Sequence, residues 1–410
     1  MPEKRKDSKG RVLKTGESQR KDGRYQYRYT DAQGNRVSIY GADLRSLRAR
    51  EEEISQARQA WDEETIDAMT VRELLDLYIS LKQGVRYGTK TVYGFVSGVV
   101  GKEPFGERRI TGVRVSDAKR WILKLHKDGR GYGTITTIKS VVCPAFRMAC
   151  EDGAIQKNPF EFRLSDVIPN DTPKKAPLTP AQLEAWMGFI RSDKTYRKYY
   201  DEFLVLLGTG MRAGELCGLT FSDIDFRKGR IRIERQMIKK RDGTYSIGEP
   251  KTGSGYRYIP ISPEVRRALK RIMENRRTPE KEPTVDGCSG FLLLDRNMHP
   301  KTTLTIDNEM RAAYAKYCRL YPDAEPLPKV TPHVLRHTFC TNMAQAGMEV
   351  KALQYIMGHS DAGVTLNVYT HSDYSYAERQ MSKALSKANA KSDVSKTDAV
   401  YLYETLPEAR

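Results

Sequence analysis

The sequence lacks the features that mark membrane proteins, disulfide-rich secreted proteins and nucleotide-driven enzymes. No segment approaches the roughly 20 consecutive apolar residues of a membrane span, and no apolar run follows the amino terminus as in a secretory signal. It has no Gly-x-x-x-x-Gly-Lys-Ser/Thr loop for nucleotide phosphates. The six cysteines contain no Cys-x-x-Cys pair; they are Cys143, Cys150, Cys217, Cys288, Cys318 and Cys340. These absences predict a reduced cytoplasmic protein without disulfides, a thiolate metal site or a membrane segment.

Positive charge is present in excess and is unevenly distributed. The chain of 410 residues carries a formal net charge of +18. Residues 1–30 hold ten Lys and Arg against four Asp and Glu, and residues 227–281 hold seventeen against six. An even spread would fit a merely well-solvated surface, whereas two concentrations indicate an acidic polymer as partner. The length predicts two to four domains, at roughly 100–200 residues each.

The first basic region has the pattern of a small sheet. In KDGRYQYRYT (21–30) Tyr alternates with Gln and Arg, which is the period of a strand. A turn at 31–35 and a strand at 36–40 follow, LKTGESQR could supply a third strand, and Asp43 caps a helix. One face of this sheet would be aromatic, and the other would present Arg24, Gln26 and Arg28 to base edges in a DNA groove. The alternative is an interaction domain whose basic face only improves solubility.

The middle of the chain is predicted to be helical. Thr70 and Glu73 have the spacing of a capping box, and further helices are predicted at 89–100, 116–128 and 134–152. A segment with three prolines then has the composition of an exposed linker, before Thr179 and Pro180 start another helix. The predicted divisions are 1–66, an all-α domain at 67–165, a linker at 166–178, a large domain at 179–385 and a tail at 386–410.

The large domain contains the second basic region. GRIRIERQMI, TYSIG and YRYIPI predict three antiparallel strands, followed by the basic helix PEVRRALKRIMENRR. The long basic hairpin around 235–250 includes Lys239 and Lys240, which are candidate DNA-binding residues. The predicted fold class is therefore multidomain α+β: a small sheet with one helix, an all-α domain, and a mixed, mainly-α domain with a three-stranded antiparallel sheet.

Histidine and arginine cluster near the end of this domain. In TPHVLRH, Thr331 and Pro332 start a helix that carries His333 and Arg336 on one face. Four of the six histidines fall between positions 333 and 371. A zinc site of the His-Glu-x-x-His type is not expected, because Val334 stands where the glutamate is needed. A lone histidine is usually structural, but this concentration favours a functional site.

Other candidates for the same site lie on both sides of that helix. Arg212 follows the Gly-rich end of FLVLLGTG and lies close to a helix start, where an anion is favoured, and Glu215 could orient its guanidinium. His359 follows a helix that ends at Gly358, and Tyr369 comes ten residues later. Together these residues are what phosphoryl transfer without a metal ion requires.

Four segments resemble, in this order, the tyrosine recombinase (phage-type integrase) family. They are LLGTGMRAGELCGL, GEPKTGSGYR, HVLRHTFCTNMAQAG and IMGHSDAGVTLNVYTH. The opening segment GRVLKTGESQRKDGRYQYRY is similar to that of integrases from conjugative transposons, whose small first domain binds arm-type DNA repeats through a β-sheet. The resemblance implies that Arg212 and Arg336 clamp a phosphate and that Tyr369 is the nucleophile. It also implies active-site roles for Lys251, His333 and His359.

These residues suit strand cleavage through a 3′-phosphotyrosine. Two guanidiniums can hold the non-bridging oxygens and stabilise their charge, which is what Mg²⁺ does in other enzymes. A histidine, with His333 assigned this role, can take the tyrosine proton, while His359 bonds a phosphate oxygen and Lys251 protonates the departing 5′ oxygen. Lys239, Lys240 and Arg257 are alternative cations for the position of Lys251. Neither a metal, nor ATP, nor another cofactor is expected.

By resemblance, the expected partners are double-stranded DNA at core-type and arm-type sites and three further copies in a tetramer on two duplexes. An excisionase-like accessory protein is a further partner that the resemblance allows, and residues 386–410 are expected to contact a neighbouring protomer. The function indicated is excision and integration of a mobile element. Two alternatives stay open: a non-catalytic DNA-binding regulator, and a type IB topoisomerase-like enzyme.

Overall fold

The computed structural model describes residues 5–30, 36–59, 68–172, 176–250 and 253–369, with four further positions at 378, 381–382 and 385. The chain divides into two compact units, Met1–Pro173 and Lys174–Arg410. In the described part of the chain, no helix is long and apolar enough to cross a membrane.

The first unit begins with a three-stranded antiparallel sheet and one helix, which confirms the predicted small sheet. Strand β2 (Tyr25–Thr30) lies between β1 (Glu17–Gln19) and β3 (Arg36–Gly41). Helix α1 (Leu44–Gln59) starts where the Asp43 carboxylate accepts the Ser46 amide at 2.7 Å. Tyr25, Leu44 and Leu47 form the small buried core between sheet and helix. The predicted turn at 31–35 lies outside the described residues.

Four α-helices follow among the described residues of the same unit, and they confirm the helical prediction to within a few residues. They are α2 (Val71–Ser80), α3 (Tyr87–Val100), α4 (Val115–Lys127) and α5 (Tyr132–Glu151). The capping box is present, because the Thr70 hydroxyl accepts the Glu73 amide and the Glu73 carboxylate accepts the Thr70 amide. Phe105 stacks on Trp121 with ring centroids 4.5 Å apart, in a core that includes Phe146 and Phe160.

Most described residues of the predicted linker are exposed, but two apolar residues in it are buried. Ile168 is buried in the helical core of the first unit, and Leu178 is buried in the core of the second. The Leu178 amide donates to the Thr338 hydroxyl at 3.0 Å. Apolar residues near each end of a proline-rich segment can therefore anchor it to the unit beside it.

The second unit is mainly helical. Its helices are α6 (Pro180–Ser192), α7 (Tyr200–Thr209), α8 (Ala213–Cys217), α9 (Pro263–Glu274), α10 (Thr303–Leu320), α11 (Pro332–Gln345), α12 (Val350–Met357) and α13 (Ala362–Tyr369). The predicted caps at Thr179 and Thr331 are present, each accepting a backbone amide in the first turn of its helix. A single large core joins α6–α11 to the strands of this unit.

The strands of the second unit pair differently from the prediction. β5 (Arg230–Ile233) pairs with β4 (Ile224–Asp225) and β8 (Arg257–Pro260), while β6 (Gln236–Lys239) and β7 (Tyr245–Gly248) form a separate two-stranded sheet. GRIRIERQMI is thus two strands rather than one, and TYSIG belongs to a separate hairpin. The buried Asp223 explains the break, since it binds both Arg232 and Arg235. Residues three apart on a straight strand point to opposite faces and could not share that carboxylate.

Candidate active site

A tight turn between α7 and α8 positions Arg212. Gly210 ends α7 with a positive φ of 64°, and a side chain there would lie 2.3 Å from the Phe339 ring. Only glycine adopts this conformation in this space without strain. The turn makes Arg212 the N-cap residue of α8, as its position after the glycines predicts.

Glu215 holds Arg212 in place, as the sequence suggests. The Arg212 Nη1 donates to Glu215 Oε1 at 2.7 Å, and the Arg212 backbone amide donates to Oε2 at 2.9 Å. The second guanidinium nitrogen, Nη2, donates to the Gly358 carbonyl at 3.2 Å. Because 44% of the Arg212 side chain is exposed, its guanidinium is anchored on one side and accessible on the other.

Arg257 binds the same carboxylate from inside the protein. Its Nη2 donates to Glu215 Oε2 at 2.8 Å and its Nη1 to Oε1 at 3.2 Å, while its side chain is fully buried. Burial alone would raise the pKa of Glu215, but the hydrogen bonds and charges of Arg257 and Arg212 lower it below its usual value. Glu215 is therefore a carboxylate held ionised between two arginines.

Arg336 projects from α11 into the same cluster. It is buried, and its Nη1 donates to the Gly210 carbonyl at 2.6 Å while its Nη2 donates to the Met357 carbonyl. Burial first, and then repulsion from Arg212, lower the pKa of Arg336 to about 9. The guanidinium is still charged at neutral pH, in surroundings where an added negative charge would be stabilising.

The two candidate histidines differ in their surroundings. His333 is exposed on the first turn of α11, three residues before Arg336. His359 is partly buried, and its Nδ1 lies 3.0 Å from the buried hydroxyl of Thr365. Burial and the charges of Arg336, Arg212 and Arg257 lower the pKa of His359 to about 4, so the ring is neutral near pH 7. If the Thr365 hydroxyl donates to Nδ1, Nε2 carries the proton and can donate to a phosphate oxygen.

The candidate nucleophile ends the last described helix. Tyr369 is the final residue of α13, one turn after Thr365, which bonds His359. The described residues include the backbone of Tyr369 but not its side chain. Lys251 lies outside the described residues, between β7 and β8. The structure therefore brings Arg212 and Arg336 together on the carbonyls that precede His359, with Tyr369 at the end of the helix that follows.

The candidate DNA-binding residues of the amino-terminal sheet are not equally accessible. Arg24 is exposed and pairs with Asp22 at 2.8 Å, and Arg28 is also exposed. Gln26 is only 6% exposed, and its amide donates to Ser38 Oγ at 3.0 Å. Its expected presentation to base edges is thus not seen, because neighbouring side chains on the same face cover it.

The other two candidates lie in the separate hairpin of the second unit. Lys239 is exposed at the end of β6 and lies over the Tyr245 ring, 5.1 Å from its centroid. Lys240 follows in the turn, where its backbone pairs with Thr244. Neither lysine makes a hydrogen bond to the arginine cluster in the described part of the chain.

Comparison with known proteins identifies the family. The model of the phage integrase family matches residues 177–376, and the model of the DNA-binding domain of Tn916 integrase matches residues 1–58. The transposase from transposon Tn1545 of Streptococcus agalactiae is 39% identical over 396 residues, which span 93% of this chain and 97% of that protein. The chain belongs to the tyrosine recombinase (phage integrase) family.

Further relatives of this recombinase are also proteins of transposons. The transposase from transposon Tn916 of Enterococcus faecalis is 39% identical over 93% of the chain and 97% of its own length. A solved structure of the Tn1549 transposon integrase with a circular intermediate DNA is 41% identical and has a TM-score of 0.73, covering 77% of this chain and 99% of that one. The resemblance in the sequence motifs is confirmed, and the recombinase is an enzyme that cuts and rejoins DNA.

The positions of Arg257 and Thr365 in the candidate site were not predicted from the sequence. From the sequence, Arg257 is only an alternative cation for the position of Lys251, whereas its guanidinium is turned inward to Glu215. The strand register indicates that Arg257 faces inward. Arg257 pairs with Ile233 and alternates with exposed Tyr258, so it occupies an inward-facing position of β8, where an apolar residue is normal. Thr365 was not considered, and nothing in the sequence marks its bond to His359.

Proposed function

We propose that the recombinase cleaves a DNA strand by attack of Tyr369 on a phosphodiester held by Arg212 and Arg336. The Tyr369 oxygen forms a bond to phosphorus, the bond to the 5′ oxygen breaks, and a 3′-phosphotyrosine results. His333 takes the proton of the tyrosine, and Lys251 supplies one to the departing oxygen. His359 donates to a non-bridging oxygen, in the neutral state that its lowered pKa favours.

One observation carries this proposal: Arg212 and Arg336 are fixed by carbonyls of two successive residues. Arg336 donates to the Met357 carbonyl and Arg212 to the Gly358 carbonyl, immediately before His359. The two guanidiniums are therefore pre-positioned, and they need no reorganisation when charge develops on the phosphate. Their positive charge supplies what a divalent cation would otherwise supply, so a metal ion is not required.

The proposed substrate is double-stranded DNA at the ends of a mobile element. The phosphotyrosine retains the energy of the broken bond, so the 5′-hydroxyl of a second DNA strand can displace Tyr369 without ATP. Exchange between two duplexes needs four such steps, for which we propose a tetramer. The family model that matches residues 1–58 is named for DNA binding, and we propose that the sheet in this region binds separate arm-type sites. An excisionase-like protein would act on the direction of the reaction.

The decisive experiment is covalent trapping on a nicked duplex that carries the element's end. Attack releases a short 5′-hydroxyl fragment that diffuses away, so the adduct accumulates. In buffer with EDTA we expect a denaturation-resistant adduct with the wild type and none with Tyr369→Phe. Tyr374→Phe and Tyr376→Phe are matched controls, because both tyrosines follow closely in the sequence, and both variants should form the adduct.

The other outcomes would contradict the proposal in different ways. An adduct that requires a divalent cation would exclude the metal-free mechanism. If the adduct still forms in Tyr369→Phe but is lost in Tyr374→Phe or Tyr376→Phe, that other tyrosine is the nucleophile. Tight DNA binding with no adduct from the wild type would support a non-catalytic regulator instead.

A further inference from the structure

The fully buried guanidinium of Arg257 has no direct access to DNA, yet it joins two parts of the candidate site. Its Nε donates to the Ile356 carbonyl at 2.6 Å, and its Nη1 donates to the Gly255 carbonyl at 3.0 Å. Two of its nitrogens bind Glu215. A buried charge is costly unless it is paired and hydrogen-bonded, so an arginine at an inward strand position calls for an explanation.

Arg257 completes the coordination of Glu215. A carboxylate offers about four lone-pair positions, and each Glu215 oxygen accepts one bond from Arg212 and one from Arg257. Without Arg257, half of these positions would be empty in a site where Glu215 is almost entirely buried. Arg212 would then be the remaining cation bonded to that carboxylate among the described residues, and its guanidinium would be drawn further onto it.

Arg257 also fixes the turn before His359. Three successive carbonyls each accept a different guanidinium: Ile356 from Arg257, Met357 from Arg336 and Gly358 from Arg212. The Arg257 Nη1 lies so close to Gly358 that a side chain on that glycine would come within 2.9 Å of it. The position of this turn, and hence of His359, thus depends on Arg257 as much as on the two arginines proposed to bind phosphate.

We propose that Arg257 is a positioning residue for strand cleavage, which orients Arg212 through Glu215 and His359 through the carbonyl of Ile356. This inference rests on the proposed function of the site. Arg257 does not itself contact the phosphate, because all three of its side-chain nitrogens are bonded to Glu215 or to the Gly255 and Ile356 carbonyls. Its removal is therefore expected to slow cleavage without weakening DNA binding.

The test compares Arg257→Met, Arg257→Lys and a matched control, Arg276→Met. Arg276 is another largely covered arginine of the second unit, with 7% of its side chain exposed; it binds Glu282 with two nitrogens and donates to the Phe291 and Arg277 carbonyls. It makes no hydrogen bond to the cluster in the described residues. For each variant we would measure thermal unfolding, DNA affinity, the rate of adduct formation on the nicked duplex, and the titration of His359.

We expect Arg257→Met to form the adduct about 100-fold more slowly, as a small displacement of a catalytic group can cause, with DNA affinity near that of the wild type. Arg276→Met should lose some stability, less than Arg257→Met because the Glu282 side chain is 41% exposed, and no more than about twofold in rate. Arg257→Lys keeps the charge but not the planar set of donors, so it should be slowed at least about tenfold.

The titration of His359 separates positioning from a general loss of stability. His359 faces Arg336, Arg212, Arg257 and His333, and its ring nitrogen bonds Thr365. Because the charge of Arg257 is one cause of the lowered pKa of His359, removing it in Arg257→Met should raise that pKa. The His359 ring, followed by NMR in the DNA-free protein, should therefore titrate at a higher pH in Arg257→Met and at an unchanged pH in Arg257→Lys and Arg276→Met.

Three results would overturn the inference. The first is an Arg257→Met protein with the rate and the His359 titration of Arg276→Met. The second is a loss of DNA affinity that accounts for the whole loss of rate. The third is an Arg257→Lys protein that cleaves DNA as fast as the wild type, and this result decides the question if Arg257→Met does not fold. Absence of an adduct from the wild type itself would instead overturn the proposed function, and this inference with it.

Discussion

At the scale of single residues, the cluster combines an excess of positive charge with restricted access to water. Two guanidiniums, of Arg212 and Arg257, bind the Glu215 carboxylate, and a third, of Arg336, is buried beside them. Burial and neighbouring positive charge disfavour the protonated forms of Arg336 and His359, whose pKa values are lowered to about 9 and about 4. A bound phosphate would reverse part of both shifts, because its negative charge favours the protonated forms. A bound anion would therefore balance the excess positive charge of this site.

The lowered pKa of His359 predicts a dependence of stability on pH. The folded histidine takes up a proton near pH 4, whereas its ordinary pKa of 6.5 applies when the chain is unfolded. Between these values the unfolded state binds the extra proton, so the free energy of unfolding falls as the pH falls from about 6.5 to about 4. With allowance for the partial exposure of the ring, we expect this contribution to be about 1 kcal/mol.

The contribution of His359 is isolated by comparison with His359→Gln, which keeps a polar side chain that does not titrate. Denaturant unfolding of the DNA-free protein at several pH values would give the difference in unfolding free energy. The difference should be constant above pH 7 and should shift in favour of the variant as the pH falls below 6.5. A difference that does not change with pH would show that His359 has an ordinary pKa in the folded protein.

At the scale of elements, two helix ends hold the arginines that are proposed to bind phosphate. Helices α7 and α12 both end in a glycine with positive φ, Gly210 and Gly358. The carbonyls at a helix C-terminus lack helical partners and carry partial negative charge. Here the Gly210 and Met357 carbonyls accept Arg336, and the Gly358 carbonyl accepts Arg212. The helix ends therefore both satisfy and orient the guanidiniums.

Gly210→Ala should damage both the fold and the site. The added methyl group would lie 2.3 Å from the Phe339 ring, at a positive φ that alanine disfavours. We expect a loss of about 3 kcal/mol in the free energy of unfolding, and slower adduct formation in the protein that stays folded, because the carbonyl bound by Arg336 moves.

Gly188→Ala is the matched control for this prediction. Gly188 lies inside helix α6, and a methyl group there meets no atom within 4 Å. This variant should be more stable by about 0.5–1 kcal/mol, with an unchanged rate. Equal effects of the two substitutions on stability would contradict the role assigned to the Gly210 turn.

Local signals in the sequence were sufficient for the elements that carry the site. Thr331 with Pro332 predicts the start of α11, and Gly358 predicts the end of α12, because caps and turns depend on residues adjacent in sequence. The division of GRIRIERQMI into two strands was not predictable in this way. It depends on Asp223, which accepts Arg232 and Arg235 only once the chain has folded back. Arg257 was missed for the same reason, since its partner Glu215 is distant in sequence.

At the scale of the whole molecule, the two concentrations of positive charge fall in different units. One spans residues 1–30, which include β1 and β2 of the first unit, and the other includes β5–β8 and α9 of the second. The family model named for DNA binding matches only residues 1–58, whereas the phage integrase model matches residues 177–376. The division suggests that binding at arm-type sites and cleavage at core-type sites can be separated by mutation.

Replacing Arg24 and Arg28 together with alanine should test this division. Both side chains are exposed beside or within β2, and Gln26 is left in place because it is buried. We expect weaker binding to duplexes that carry the arm-type repeats, and a shallower dependence of binding on salt, by about one unit of slope for each lost phosphate contact. Adduct formation on the nicked core duplex should be unchanged, because no arm-type site is present there.

The control removes two other exposed cations of the same region, Lys9 and Arg45, which lie outside β2. This variant has the same net charge as the first, so an equal loss of arm-site binding would mean that overall charge, rather than the face of the sheet, determines affinity. A loss of core-site cleavage in Arg24→Ala/Arg28→Ala would contradict the two-site division itself. If only Arg24→Ala/Arg28→Ala loses binding to arm-type sites, DNA recognition belongs to the face of β2, because the two variants differ in the positions of the removed charges and not in net charge.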